Sequence, residues 1–215
     1  ALQLDTYNRL GHAYQALGHE EHHLRSAEAT YNASLRMDTE QPDILFQLAR
    51  VLVRLERRDE ALPLYRRALQ LSPQDSGIRV ELAATYTQAG RPEAAEALLR
   101  EGLELTPDPQ GQAQMHYELG RLAFADGRRS GALTAFQAAY GLDSTLSVAI
   151  RFGARVLADL GQTDEALVLY TRLQDRHPDD ATHRVGAGIV LSGIGRLDEA
   201  EAAFLAAQLQ LFGWN

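Results

Sequence analysis

A chain of 215 residues, 45% apolar and 23% charged, has the make-up of a folded protein rather than a disordered one, and its net charge of −8 argues against general nucleic-acid binding, where clustered positive charge supplies most of the affinity. The absence of cysteine removes disulfides, thiol nucleophiles and cysteine metal sites; no apolar run approaches the roughly 18 to 20 residues that span a bilayer, and no cationic leader with a hydrophobic centre opens the sequence, so a soluble protein is expected. All 21 basic residues are arginines, a skew that fits a GC-rich bacterial genome and leaves the compartment open, with bacterial cytoplasm ahead of periplasm.

A ten-residue stretch, ERRDEALPLY from Glu56 to Tyr65, recurs as GRPEAAEALL (Gly90 to Leu99), GRRSGALTAF (Gly127 to Phe136), GQTDEALVLY (Gly161 to Tyr170) and GRLDEAEAAF (Gly195 to Phe204). Its alanine falls at Ala61, Ala95, Ala132, Ala166 and Ala200, in steps of 34, 37, 34 and 34 residues. An internal period of this length marks a repeat architecture in which each unit contacts its neighbours. The repeats run over about 4–41, 42–75, 76–109, 113–146, 147–180 and 181–214.

Each repeat splits into two helical halves. In 42–75, Leu45, Leu48, Ala49 and Leu52 share one helical face. The second half opens on Asp59 and Glu60, acids that suit the positive end of a helix, and stops before Pro73, which cannot continue one. Repeat 1 carries Tyr7, Leu10, Gly11 and Tyr14, then Ala27, Tyr31 and Leu35, with four extra residues between its helices. Repeat 4 has Leu119, Gly120, Ala132, Phe136 and Ala139; repeats 5 and 6 keep the scheme at Ala154, Ala166, Tyr170 and Pro178, and at Gly188, Ala200, Phe204 and Ala207.

This pattern resembles the tetratricopeptide repeat (TPR), a 34-residue helix-turn-helix with Leu-Gly and Tyr in the first helix, Ala, an aromatic and Ala in the second, and a closing Pro. The resemblance implies an all-α fold, a right-handed α-α superhelix (solenoid) of six helix-turn-helix units. In such a fold the first helices line a concave face that is the usual binding surface. Small residues at the eighth and twentieth positions would let paired helices approach, and the aromatic would fill the gap to the next unit.

Mapping that face onto the sequence gives, as candidate protein- or peptide-binding residues, Asn8, His12, Phe46, Arg50, Arg54, Tyr117, Arg121, Phe124, Arg151, Phe152 and Arg155. Arg50 with Arg54, and Arg151 with Arg155, are like charges four apart on a helix, unfavourable by a few tenths of a kcal/mol unless something negative sits between them. The expected partner is a protein or peptide bearing carboxylates. The alternative is an ordinary solvated face on which Glu81, Glu118 and Asp159 pair with those arginines. The family's clamp for chaperone C-termini, built on Lys, Asn and Arg, is not matched: its positions hold Asn8, His12, Gln47, Gly77 and Glu81.

Two departures remain. The insertion in repeat 1 reads His19-Glu20-Glu21-His22-His23, a letter match to HExxH. With no third ligand or cleft evident, a solvated helix extension is expected. Metal binding through His19 and His23 is the lesser alternative, and a metal-dependent hydrolase the remotest. At the other end, Leu205, Leu209, Leu211, Phe212 and Trp214 leave the last helix apolar where repeat arrays normally carry a polar cap. It is expected to pack on further chain, on a second copy or on a partner, and the chain would then be an oligomerising segment of a larger protein. With no phosphate loop and no Ser, His and Asp set in a motif context, neither an enzyme nor a cofactor is expected. The predicted role is a protein-interaction scaffold in a bacterial multiprotein assembly.

Overall fold

The computed structural model describes residues 2–18 and 20–212, and among them every regular element is an α-helix. They divide into two compact units, Ala1–Gly111 and Gln112–Asn215. The first holds α1 (Leu2–Ala16), α2 (Glu21–Met37), α3 (Pro42–Arg54), α4 (Arg58–Leu71), α5 (Ser76–Gln88) and α6 (Pro92–Leu105). α7 (Pro109–Ala125) starts at the end of the first unit and belongs for most of its length to the second. There it is followed by α8 (Arg129–Leu142), α9 (Ser147–Asp159), α10 (Thr163–Arg176), α11 (Ala181–Gly193) and α12 (Leu197–Phe212). Among the described residues no helix is long and apolar enough to cross a membrane.

Helix boundaries follow from local chemistry. Pro42 and Pro92 stand at the first positions of α3 and α6, where the missing N–H would have had no partner and the fixed φ is already helical. The Asp75 carboxylate accepts from the Ile78 N–H at 2.9 Å, and that of Asp180 from the Thr182 N–H at 2.9 Å, so α5 and α11 have side-chain caps. The turn inside each pair from the second on closes in one way. The N–H groups of Arg57, Arg91, Arg128, Gln162 and Arg196 reach back to the carbonyls of Leu52, Tyr86, Ala123, Leu157 and Leu191 at 2.8 to 3.0 Å. This bond needs a left-handed residue just before it. Gly90, Gly127, Gly161 and Gly195 supply it at φ 71 to 78°, and Glu56 does so at φ 62°.

The repeat alanines lie in the core: Ala27, Ala61, Ala95, Ala132 and Ala166 are fully buried, and Ala200 nearly so. The large residue four places later is buried as well at Tyr31, Tyr65, Leu99, Phe136 and Tyr170, whereas Phe204 in the last pair is 39% exposed. Glycine makes room for these rings. A Cβ on Gly120 would lie 2.6 Å from the Phe136 ring, and one on Gly11 2.4 Å from Tyr31. The aromatic therefore fills the gap within its own pair as well as the gap to the next.

A buried arginine completes the first unit. Arg79 is 1% exposed and donates to the carbonyls of Pro73 at 2.8 Å and Leu98 at 3.2 Å, so one side chain ties the α4–α5 turn to α6. Its counterpart in the second unit, Arg184, donates to the Pro178 carbonyl at 2.9 Å.

Candidate functional site

The candidate residues of the first unit are engaged inside it. Asn8 donates to Gln41 Oε1 at 3.0 Å and accepts from the Ser34 hydroxyl. The Tyr31 hydroxyl lies 3.1 Å from His12 Nδ1 and donates to Gln15 Oε1 at 2.9 Å; burial pushes that phenol up to about 12. Arg50 lies over the Phe46 ring, 5.6 Å from its centre, and pairs with Glu81 at 3.7 Å. Arg54 turns away and donates to the Gly18 carbonyl at 2.7 Å. The like charges at 50 and 54 thus diverge to separate partners.

In the second unit the aromatics pack before they can recognise anything. Phe152 stacks on Phe136 with centres 5.5 Å apart, and Tyr117 lies 5.9 Å from each of them. Tyr117, Phe124 and Phe152 border the core of Ala123, Ala132, Phe136 and Val156 as half-buried side chains. Burial raises the Tyr117 phenol. Arg121 lies over Tyr117 at 5.9 Å and pairs with Glu118 at 2.9 Å. Asp159, expected on the Arg151 and Arg155 pair, is held instead by Arg129 at 3.3 Å. Arg129 also donates to the Phe124 carbonyl and covers the Phe124 ring at 4.2 Å.

Arg151 and Arg155 remain. Repeat 5 has Arg151 where repeats 2 and 4 have Phe46 and Tyr117, so Arg155 lacks an aromatic one turn earlier and leans on Phe124 at 5.3 Å. Among the described residues no carboxylate pairs with either arginine. Both border a cleft of about 830 Å³ between α9 and α11, with Tyr170 and Thr163 of α10 at its base. Asp159 marks its acidic edge, and Val185, Ile189, Val190 and Ile194 form the opposite wall. Ile189 is 62% exposed and Ile194 41%, large apolar side chains held open beside charge. Tyr170 reaches the cleft only because residue 186 is glycine: a Cβ there would be 2.3 Å from its ring. Burial raises the Tyr170 phenol against the opposing pull of Arg155 and Arg151, so it stands in the cleft as a neutral hydroxyl.

Ile189, Ile194 and Tyr170 complete the cleft and were not among the candidates from sequence. Ile189 occupies the repeat position of Arg155, and an aliphatic residue where three repeats carry arginine is the signal that marks it. Of the last helix, Leu205 is 53% and Leu209 38% exposed. The Phe212 side chain and Trp214 lie outside the described residues, as does His19.

Paired antiparallel helices repeated at a fixed period, with an open cleft on the first helices of two successive pairs, define a helical-repeat protein. Tetratricopeptide repeat models match residues 10–76 and 153–212, more than half of the chain, and a further one matches 54–116. The chain belongs to the tetratricopeptide repeat family. No curated protein sequence matches it. Similar solved structures include PilF of Pseudomonas aeruginosa, 19% identical with a TM-score of 0.79 over 99% of this chain and 93% of that one. PilW, described as a type IV pilus biogenesis factor, is 19% identical with a TM-score of 0.78 over 99% and 94%. YrrB, described as a TPR protein with an unusual peptide-binding site, is 19% identical with a TM-score of 0.63 over 85% and 96%. At these identities the likeness is one of fold. Repeats of this kind are typically non-enzymatic scaffolds for protein partners.

Proposed function

We propose that the chain is an interaction scaffold of a bacterial multiprotein assembly, and that its recognition site is the α9–α11 cleft. The occupant is a protein segment with an aliphatic or aromatic side chain next to carboxylates. The observation that carries this reading is the contrast among the arginines. Arg50 and Arg121 have carboxylates of their own and Arg54 a carbonyl, whereas among the described residues no carboxylate pairs with Arg151 or Arg155, and Asp159, at the edge of the cleft they border, is held by Arg129. Two like charges on one helical face lose stability until an anion joins them, and a bidentate carboxylate suits a guanidinium in shape as well as charge. Ile189 and Ile194 would bury the apolar side chain, at roughly 25 cal/mol for each Å² removed from water. The fold shared with PilW and with the peptide-binding YrrB supports a scaffold in such an assembly.

Selection from a displayed random peptide library tests it. Enriched peptides should place Asp or Glu beside Leu, Ile or Phe. Substituting Arg151 and Arg155 with Ala should weaken them by about tenfold or more, since hydrogen bonds to charged groups contribute roughly 1.5 to 3 kcal/mol each. Arg50→Ala should leave them unchanged. Equal loss in both variants, or none in either, refutes the assignment.

A second reading, self-association through α12, rests on a separate observation. The repeat positions of Leu205 and Leu209 hold Arg66 and Gln70 in α4, Arg100 and Glu104 in α6, and Thr171 and Asp175 in α10, so α12 is apolar where α4, α6 and α10 keep polar side chains. Leu197, Phe204 and Leu205 also line a groove of about 400 Å³ there.

A further inference from the structure

The insertion in the first repeat has a structural result that the scaffold reading does not use. α4, α6, α8, α10 and α12 each begin three residues before the repeat alanine, and α2 begins six before Ala27. The added turn carries His22 and His23, with Glu20 immediately ahead of the helix. One potential ligand atom from each of Glu20, His22 and His23 lies within 4.8 Å of the others. His22 Nδ1 is 3.3 Å from Glu20 Oε2, and the two imidazole centres are 3.8 Å apart. The neighbouring carboxylate is already engaged, Glu21 pairing with Arg25 at 2.6 Å, which leaves Glu20 as the acid of the group.

We infer that Glu20, His22 and His23 form a binding site for a borderline divalent transition ion, zinc, nickel or copper, on the inter-helix turn of the first repeat. Bonds of about 2.0 to 2.2 Å to nitrogen and oxygen place neighbouring ligand atoms of a tetrahedral site roughly 3.4 Å apart. The Glu20–His22 separation is already at that value, and His23 closes the remainder by a rotamer change at a solvated surface. Two imidazoles and one carboxylate suit zinc, nickel or copper and do not suit magnesium or calcium, which take oxygen ligands. The remaining coordination positions go to water or to a group on a partner. This set differs from the pair His19 and His23 that the HExxH spacing picks out: α2 begins at Glu21, and Glu20 stands ahead of it in extended backbone beside His22 and His23.

The test is calorimetric titration of the chelator-treated full chain with zinc chloride and nickel chloride. One ion per chain is expected. Glu20→Gln and His22→Gln should each weaken binding by at least about tenfold, since even outer-shell changes at metal sites cost that much. The double variant His22→Gln with His23→Gln should lose it, and zinc should raise the thermal midpoint of the wild type but not of that variant. Glu20 and His22 are exposed and His23 half-buried, and far-ultraviolet circular dichroism checks that each variant keeps the helical fold. Absence of binding overturns the inference, as does undiminished binding by the double variant. Loss on His19→Gln with retention on Glu20→Gln overturns the ligand set.

Discussion

Replacing Glu56 with glycine should stabilise the first unit, although it removes an ion pair. Glu56 holds the left-handed turn position at φ 62°, the place that glycine takes in the four later pairs. A Cβ there costs about 1 to 2 kcal/mol. Two effects oppose the gain. Glycine leaves the unfolded chain freer, by about 0.4 to 1 kcal/mol. The Glu56–Arg58 pair, at 2.6 Å with the Glu56 side chain 73% exposed, is a surface pair in the range of about 0.2 to 1 kcal/mol. The balance for Glu56→Gly is a small gain of about 0.2 kcal/mol. Gly90→Ala, the reverse change one pair later, should lose about 1 kcal/mol, so the two variants should differ by roughly 1.2 kcal/mol. Urea unfolding at unchanged m-value measures both as shifts in midpoint. Glu56→Asn, which tolerates the left-handed region without the entropy of glycine, separates strain from chain freedom. A lowered midpoint in both the Gly and the Asn variants would refute the reasoning, because the side chain would then contribute more than its backbone costs.

Arg79→Leu should destabilise the first unit by about 2 kcal/mol, since it removes the charged donor that the part-buried carbonyls of Pro73 and Leu98 share. Arg79→Lys should restore little of this, as one ammonium cannot span both acceptors; denaturant midpoints check the pair. The Tyr31 phenol, pushed up to about 12 from an ordinary 10 by burial, makes a contribution that is full below pH 10 and lost as pH rises through 12. Unfolding free energies measured across that window should fall, and should fall less in Tyr31→Phe, which at neutral pH is the less stable protein because His12 and Gln15 lose their partner. Under the second reading of α12, Leu205→Gln with Leu209→Gln should leave the unfolding midpoint nearly unchanged and shift light scattering towards the monomer mass; an unchanged mass distribution counts against self-association.

The fold was legible in the sequence because its determinants are local and repeated. A buried alanine every 34 or 37 residues, with a large residue four places on, is set by how closely two helices approach, and that requirement recurs in every unit. The turn was legible for the same reason, at glycine, and Glu56 breaks the sequence rule while obeying the backbone one. Arg79 escaped notice because its hydrogen bonds go to carbonyls, which no side-chain pattern displays, and its ion pair with Glu101 spans two helices; its spacing six residues after Pro73, repeated at Arg184 after Pro178, is the trace it leaves.

The arginines show where such reading stops. From sequence, Arg50, Arg121, Arg151 and Arg155 are equivalent candidates, and Glu81, Glu118 and Asp159 are equivalent partners. Which acid meets which base depends on side chains brought in by the adjoining helix, and that is where the repeats differ. Glu81 reaches back to Arg50 from the next pair, Glu118 sits one turn before Arg121, and Asp159 is claimed by Arg129 from the helix before it. Arg129 can make that claim because it lies over Phe124 with its guanidinium already aimed by the Phe124 carbonyl. Arg155, sharing the same ring at the longer distance of 5.3 Å, is left facing the cleft. In the recognition site proposed for this cleft, selectivity would therefore depend on a residue outside it: removing Arg129 would release Asp159, which could then pair with Arg155 and cancel the charge of the cleft with every lining residue still in place.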